Sequence, residues 1–71
     1  MNKPVCLVYH GISGKEGYLE KIFADFTDAM NYISKRWPFM EIEVNQRDSV
    51  LLSGLRDQVT EWARVDRWNV S

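Results

Sequence analysis

His10 and Cys6 are the only histidine and the only cysteine in a chain of 71 residues. An imidazole can serve as general base and a thiolate as nucleophile, so the pair is the first place to seek catalysis. Both lie in the run Pro4–His10, which reads as a strand. The even spacing puts them on one face, but ~13 Å apart at ~3.3 Å per residue, too far for a Cys–His pair. His10 is therefore expected to be a strand-end histidine with a satisfied hydrogen bond. One Cys and one His fall short of a usual zinc site. Glu41 and Glu43 share a strand face, and two carboxylates can cleave glycosides, but so short a chain leaves little room for a cleft around them. Gly11, Gly14 and Gly17 lack the lysine and hydroxyl residue of a phosphate loop and miss the dinucleotide spacing. They read as a hairpin turn. No catalytic, metal-binding or cofactor-binding residue is assigned, and no enzyme is expected.

The last third of the chain is more suggestive of binding. Read as a helix, it places Arg56, Thr60, Arg64 and Arg67 on one strip, at spacings of four, four and three. Asp57, Glu61 and Asp66 interleave, and Glu61–Arg64 is an ordinary pair one turn apart. Trp68 falls off the apolar stripe. Trp and Arg dominate interface hot spots, so Arg56, Arg64, Arg67 and Trp68 are the candidate partner-binding residues. Glu41 and Glu43 beside Phe39 form a second candidate contact edge. The expected function is a protein-binding module acting on a larger bacterial protein. The alternative is a small nucleic-acid binder using the same Arg/Trp face. A net charge of −1, nine Lys plus Arg against ten Asp plus Glu, argues against nucleic acid. An exposed strand edge leaves a homodimer open.

The elements that would hold these residues follow from periodicity. Pro4–His10 is almost continuously apolar, like a strand covered on both faces. The glycine-rich turn leads to a second, antiparallel strand from Tyr18. Asp25 and Asp28 then read as a capping box. The helix Asp28–Trp37 follows, with Ala29, Met30, Ile33 and Trp37 inward and Pro38 as its stop. Residues 16–37 as one long helix is the rival reading. Met40, Ile42 and Val44 alternate with Glu41 and Glu43, as in a strand with one wet face. From Ser49 onward, Leu51, Leu52, Leu55, Val59, Trp62 and Ala63 occupy about a third of a helix circumference at ~100° per residue. Residues 50–53 could instead be a further strand pairing with Met40–Val44, with the helix starting near Gly54. The expected fold is α+β over residues 1–71: an antiparallel sheet of three to four strands packed against one or two helices, in the order ββαβ(β)α.

A composition of 45% hydrophobic and 27% charged residues fits a globular domain, not a disordered chain. A single cysteine excludes an internal disulfide. No secretory signal and no membrane-length apolar run is read, so a cytoplasmic setting is expected. The segments Val5–Gly11 and Leu19–Asp25, with Asp28-Ala29 and Tyr32-Ile33, resemble a recurring kind of tiny bacterial and bacteriophage protein. Those proteins open with a hairpin whose second strand runs into a helix. Most have no known function, and several of the phage proteins inhibit a host enzyme or defence complex. The resemblance implies a phage-encoded inhibitor and assigns no residue a role.

Overall fold

The computed structural model describes residues 3–70 and, of their side chains, those of 3–69. The chain runs β1 (Lys3–Ile12), β2 (Tyr18–Phe23), α1 (Phe26–Arg36), β3 (Glu41–Asn45), β4 (Ser49–Arg56) and β5 (Val59–Val70). The five strands form one antiparallel sheet in the order β2-β1-β5-β4-β3, with β5 in the middle. The α+β class and the antiparallel sheet are as expected; the strand count is five, with one helix.

The first half follows the sequence signals closely. Lys15 N–H donates to Ile12 O at 3.0 Å and closes the turn after β1. Gly14 takes a positive φ of 86° there, a backbone state that favours glycine. Residues 18–23 are strand, so the single long helix is excluded. Asp25 caps α1, its carboxylate accepting from Thr27 N–H at 2.7 Å, two residues on rather than three. The helix starts at Phe26, two residues before the expected Asp28, and Asp28 lies in its first turn. Lys35 and Arg36 occupy the last turn, where cations favour the negative helix end. Ala29, Ile33 and Trp37 are buried against the sheet.

The C-terminal helix does not form. Residues 49–70 are instead a long β-hairpin, β4–β5, turning at Asp57-Gln58. The segment is rich in Val and holds two Trp, whose branched or aromatic side chains suit a pleated surface. Pairing β5 with both β1 and β4 buries Ala63 and Val65 completely. Residues 50–53 are strand and pair with β3, as one reading had it; the helix expected from Gly54 is absent.

Two narrower expectations also fail. A register shift between Ile42 and Val44 sets their partners as Leu52 and Leu51, on opposite faces of the sheet. Met40, Ile42 and Val44 therefore do not share a covered side. β1 is also not covered on both faces. Cys6, Val8 and His10 face α1 and are buried, while Val5, Leu7 and Tyr9 on the other side are only half-buried.

The core lies between α1 and the inner face of the sheet. Val8, Val50, Leu52, Ala63 and Val65 meet Ala29, Ile33, Trp37 and Met40 there. Among the described residues, no element packs on the outer face.

Candidate functional site

Two features could carry function: a polar chain crossing the inner face, and the uncovered outer face. The polar chain starts from His10. Its Nε2 lies 2.9 Å from Glu61 Oε1, and its Nδ1 lies 3.1 Å from the Tyr18 hydroxyl. Trp37 stacks on the imidazole, with centroids 4.4 Å apart and planes 3° apart. Arg56 binds Glu61 through two bonds, Nε to Oε2 at 2.8 Å and Nη2 to Oε1 at 3.1 Å. On the other side of Tyr18, Glu20 accepts from the Tyr32 hydroxyl at 2.7 Å and has Arg36 at 3.7 Å. His10 lies near the end of β1 with its hydrogen bonds satisfied, as expected; β5 and β2 bring two ionisable neighbours to its ring.

The electrostatics identify the roles. Burial pushes the Glu61 carboxyl up, but the bonds from His10 and Arg56 outweigh it and the net shift is downward. Glu61 is therefore an acceptor, and His10 Nε2 carries a hydrogen. In a neutral ring, Nδ1 then accepts from the Tyr18 hydroxyl. The Tyr32 bond lowers the Glu20 carboxyl against the opposing effect of burial. Burial and the neighbouring Glu20 both raise the Tyr18 phenol, which keeps it protonated. Glu61–His10–Tyr18 resembles a relay in its order. However, burial and Glu20 shift the terminal phenol away from nucleophilic use. A depression of about 220 Å³ is lined by His10, Gly11, Ile12, Lys15, Glu16 and Tyr18. The network ties β4, β5, β1, β2 and α1 together. Cys6 is buried on the same face as His10, and burial raises its thiol, which keeps it unreactive.

The four candidate partner-binding residues are divided between the two faces. Arg56 lies inside, on Glu61 and over the Phe39 ring at 5.0 Å. Arg67 is also on the helix side, 3.6 Å over the Phe26 ring, donating to Arg47 O at 3.2 Å. Arg64 and Trp68 project from the opposite, uncovered face. The Glu61–Arg64 pair does not form: Glu61 takes Arg56 and His10, and Arg64 takes Asp66.

On that outer face, β5 presents Trp62, Arg64, Asp66 and Trp68 in alternation, and the unbroken register with β1 keeps them on one side. The Trp62 indole lies flat over Gly11 and Gly17, where a Cβ would collide with it. Arg64 stacks over Tyr9 at 4.8 Å. Leu7 and Tyr9 of β1, and Leu19 and Ile22 of β2, extend the apolar surface to the sheet edge. A groove of about 440 Å³ runs beside Trp62 and Arg64, bounded by Leu51 and Glu43. Trp68 is 58% exposed and Ile22 55%. The total surface is 5160 Å², against roughly 4600 Å² for a typical monomer of this mass, consistent with a face left open.

Sequence reasoning found Arg64 and Trp68 but missed Tyr9, Trp62, Leu19 and Ile22 as neighbours on one surface. The usable signal was the run of Val and Trp after Asp57. Among the described residues no group of three metal-ligating side chains gathers, and no helix is long and apolar enough to cross a membrane. No protein-family model, no curated protein and no solved structure matches this chain.

Proposed function

We propose that this chain is a non-enzymatic protein-binding module that docks through the outer face of its sheet. The observation that carries the reading is a half-covered sheet whose free side bears Trp62, Trp68, Tyr9 and Arg64. Large exposed apolar surfaces mark interaction sites, and Trp, Tyr and Arg are the residue types that dominate binding energy. Both edge strands carry register irregularities, β2 opposite Val8/Tyr9 and β3 at Ile42/Val44. Such bulges blunt an edge against strand addition, which favours the face over the edges. In the form suggested by the resemblance, the module is phage-encoded and modulates a larger host protein in the host cytoplasm. The test is affinity capture from bacterial lysate with the wild-type chain and with Ile22→Glu and Trp68→Ala. A discrete protein retained by wild type and lost from both variants supports the reading; no such protein, or equal retention by all three, overturns it.

Tyr9, Trp62 and Trp68 with Arg64 on a free sheet face also suit single-stranded nucleic acid, which stacks bases on aromatics. The net charge of −1 and the Asp66 partner of Arg64 weigh against this second reading. Absence of a gel shift with single-stranded DNA and RNA at low salt removes it.

A further inference from the structure

The outward residues of the central strand read Trp62, Arg64, Asp66, Trp68, and this order is complementary to itself when reversed. A two-fold axis lying between two facing sheets, perpendicular to β5 and passing beside Val65, sets Trp62 against Trp68 of a second copy. The same axis sets Arg64 against Asp66. The sheet register extends the match across β1 and β2, while on β4 the axis sets Leu51 against Ser49. Leu7 is level with Asp66 and Tyr9 with Arg64, so the axis brings Leu7 over the second copy's Tyr9. Ile22 is paired with Leu7 and Leu19 with Tyr9, so Ile22 comes over the second copy's Leu19. Three apolar pairs and one ion pair thus follow from a single operation, each occurring twice.

Arg64 already pairs with Asp66 within the chain, Nε to Oδ1 at 3.0 Å, while its side chain stays 43% exposed. A guanidinium carries five N–H donors, so it can hold that partner and still meet a second carboxylate arriving from a facing sheet.

We infer that the outer face is the interface of an isologous homodimer, two sheets packed face to face about Val65. The inference rests on the reading of that face as a protein-docking surface and names its first occupant. Four inter-strand spacings of ~4.8 Å and about eight residues of shared length at ~3.3 Å give roughly 500 Å² in projection. Side-chain relief raises the accessible surface towards the ~800 Å² per partner of a standard interface. Facing sheets pack ~10 Å apart with strands crossed by about 30°, a separation that an arginine and an aspartate can bridge together. A larger partner would compete with the second copy for the face.

The test is analytical ultracentrifugation of the full chain at micromolar concentration. The wild type is expected to sediment at twice 8.4 kDa. Arg64→Asp and Asp66→Arg each set like charges across the axis, and each alone is expected to weaken association at least ~10-fold. An equimolar mixture of the two variants restores both ion pairs across the interface, and dimer is expected to return. An ion pair acting only within one chain gives no such rescue. A wild type that is monomeric, or a dimer unaffected by either variant, overturns the inference. Binding of an apolar fluorescent dye separates the two levels. A monomer that binds the dye, with binding reduced by Ile22→Glu, leaves the docking reading standing; a monomer that binds none removes both.

Discussion

His10 and Glu61, 51 positions apart in the chain, meet at 2.9 Å through Nε2 and Oε1 beneath the Trp37 ring. The contact joins β1 to β5, the two longest strands, at the end of the sheet where the β4–β5 turn lies. Arg56, from the strand on the other side of β5, closes on the same carboxylate. A buried polar group joined to partners on three elements penalises any slip in register, because a one-residue shift would turn Glu61 to the opposite face. Glu61→Gln keeps the volume but removes the charge that both partners seek. The expected cost is about 1–3 kcal/mol in urea unfolding, the range for a lost buried hydrogen-bonding partner. A change below about 0.5 kcal/mol would show that the network adds nothing to stability.

Acid should destabilise the fold, and the sign follows from the direction of the shifts. Glu20 is held below its ordinary value of 4.5 mainly by the Tyr32 hydroxyl. For Glu61 the upward push of burial is overcome by the bonds from His10 and Arg56. A carboxyl depressed on folding contributes stability that is present above its unfolded value and lost as pH falls through its folded value. The urea midpoint is therefore expected to fall as pH drops from 4.5 downwards. In Glu20→Gln and Glu61→Gln, the same scan should be flatter. An unchanged slope in both variants would assign the acid sensitivity elsewhere.

Three glycines of the first hairpin should respond differently to alanine. Added Cβ atoms at Gly11 and Gly17 would strike the Trp62 indole, at 2.5 Å from Cζ2 for Gly11. Overpacking of this kind costs about 1–3 kcal/mol, and the displaced indole should shift the Trp emission. Gly14 has open space around it but a φ of 86°, so its alanine variant is expected to lose only about 1 kcal/mol from backbone strain, with emission unchanged. Thermal melts with fluorescence detection distinguish the two mechanisms. Equal losses with equal spectra would refute the seating of Trp62.

Legibility in the sequence divides at Pro38. Before it, local signals agree with the tertiary structure except that β1 is covered on one face only. The glycines mark the turn, Asp25 caps the helix, and Ala29, Ile33 and Trp37 fall on the buried side. After it, they compete. Leu51, Leu52, Leu55, Val59, Trp62 and Ala63 fit a helical stripe, yet strand pairing separates them, with Leu52 and Ala63 inside and Leu51 and Trp62 outside. The inward positions Glu61 and Arg67 broke the apolar alternation expected of a strand. Their partners, His10 and the Phe26 ring, come from the far end of the chain, where no local pattern could reveal them. The helical strip placed Arg64 beside Arg56 and Arg67, with Trp68 off the stripe; a period of two along the same residues leaves Arg64 and Trp68 together on the open face.

The turn that defeated the helical reading is also the most direct place to improve the protein. Asp57 and Gln58 both have positive φ, 52° and 66°, as a two-residue turn between twisted strands requires. The left-handed state costs a residue with a Cβ roughly 1–2 kcal/mol, less for Asp or Asn than for Gln. Asn-Gly is the favoured pair for this geometry. Gln58→Gly is therefore expected to stabilise the chain by about 0.5–1 kcal/mol, after allowance for the freedom glycine adds to the unfolded state. With a domain of this size, that raises Tm by roughly 2–8 °C. If residues 56–59 were helical instead, the same glycine would destabilise by about 1 kcal/mol. One melting curve of Gln58→Gly against wild type thus decides between hairpin and helix.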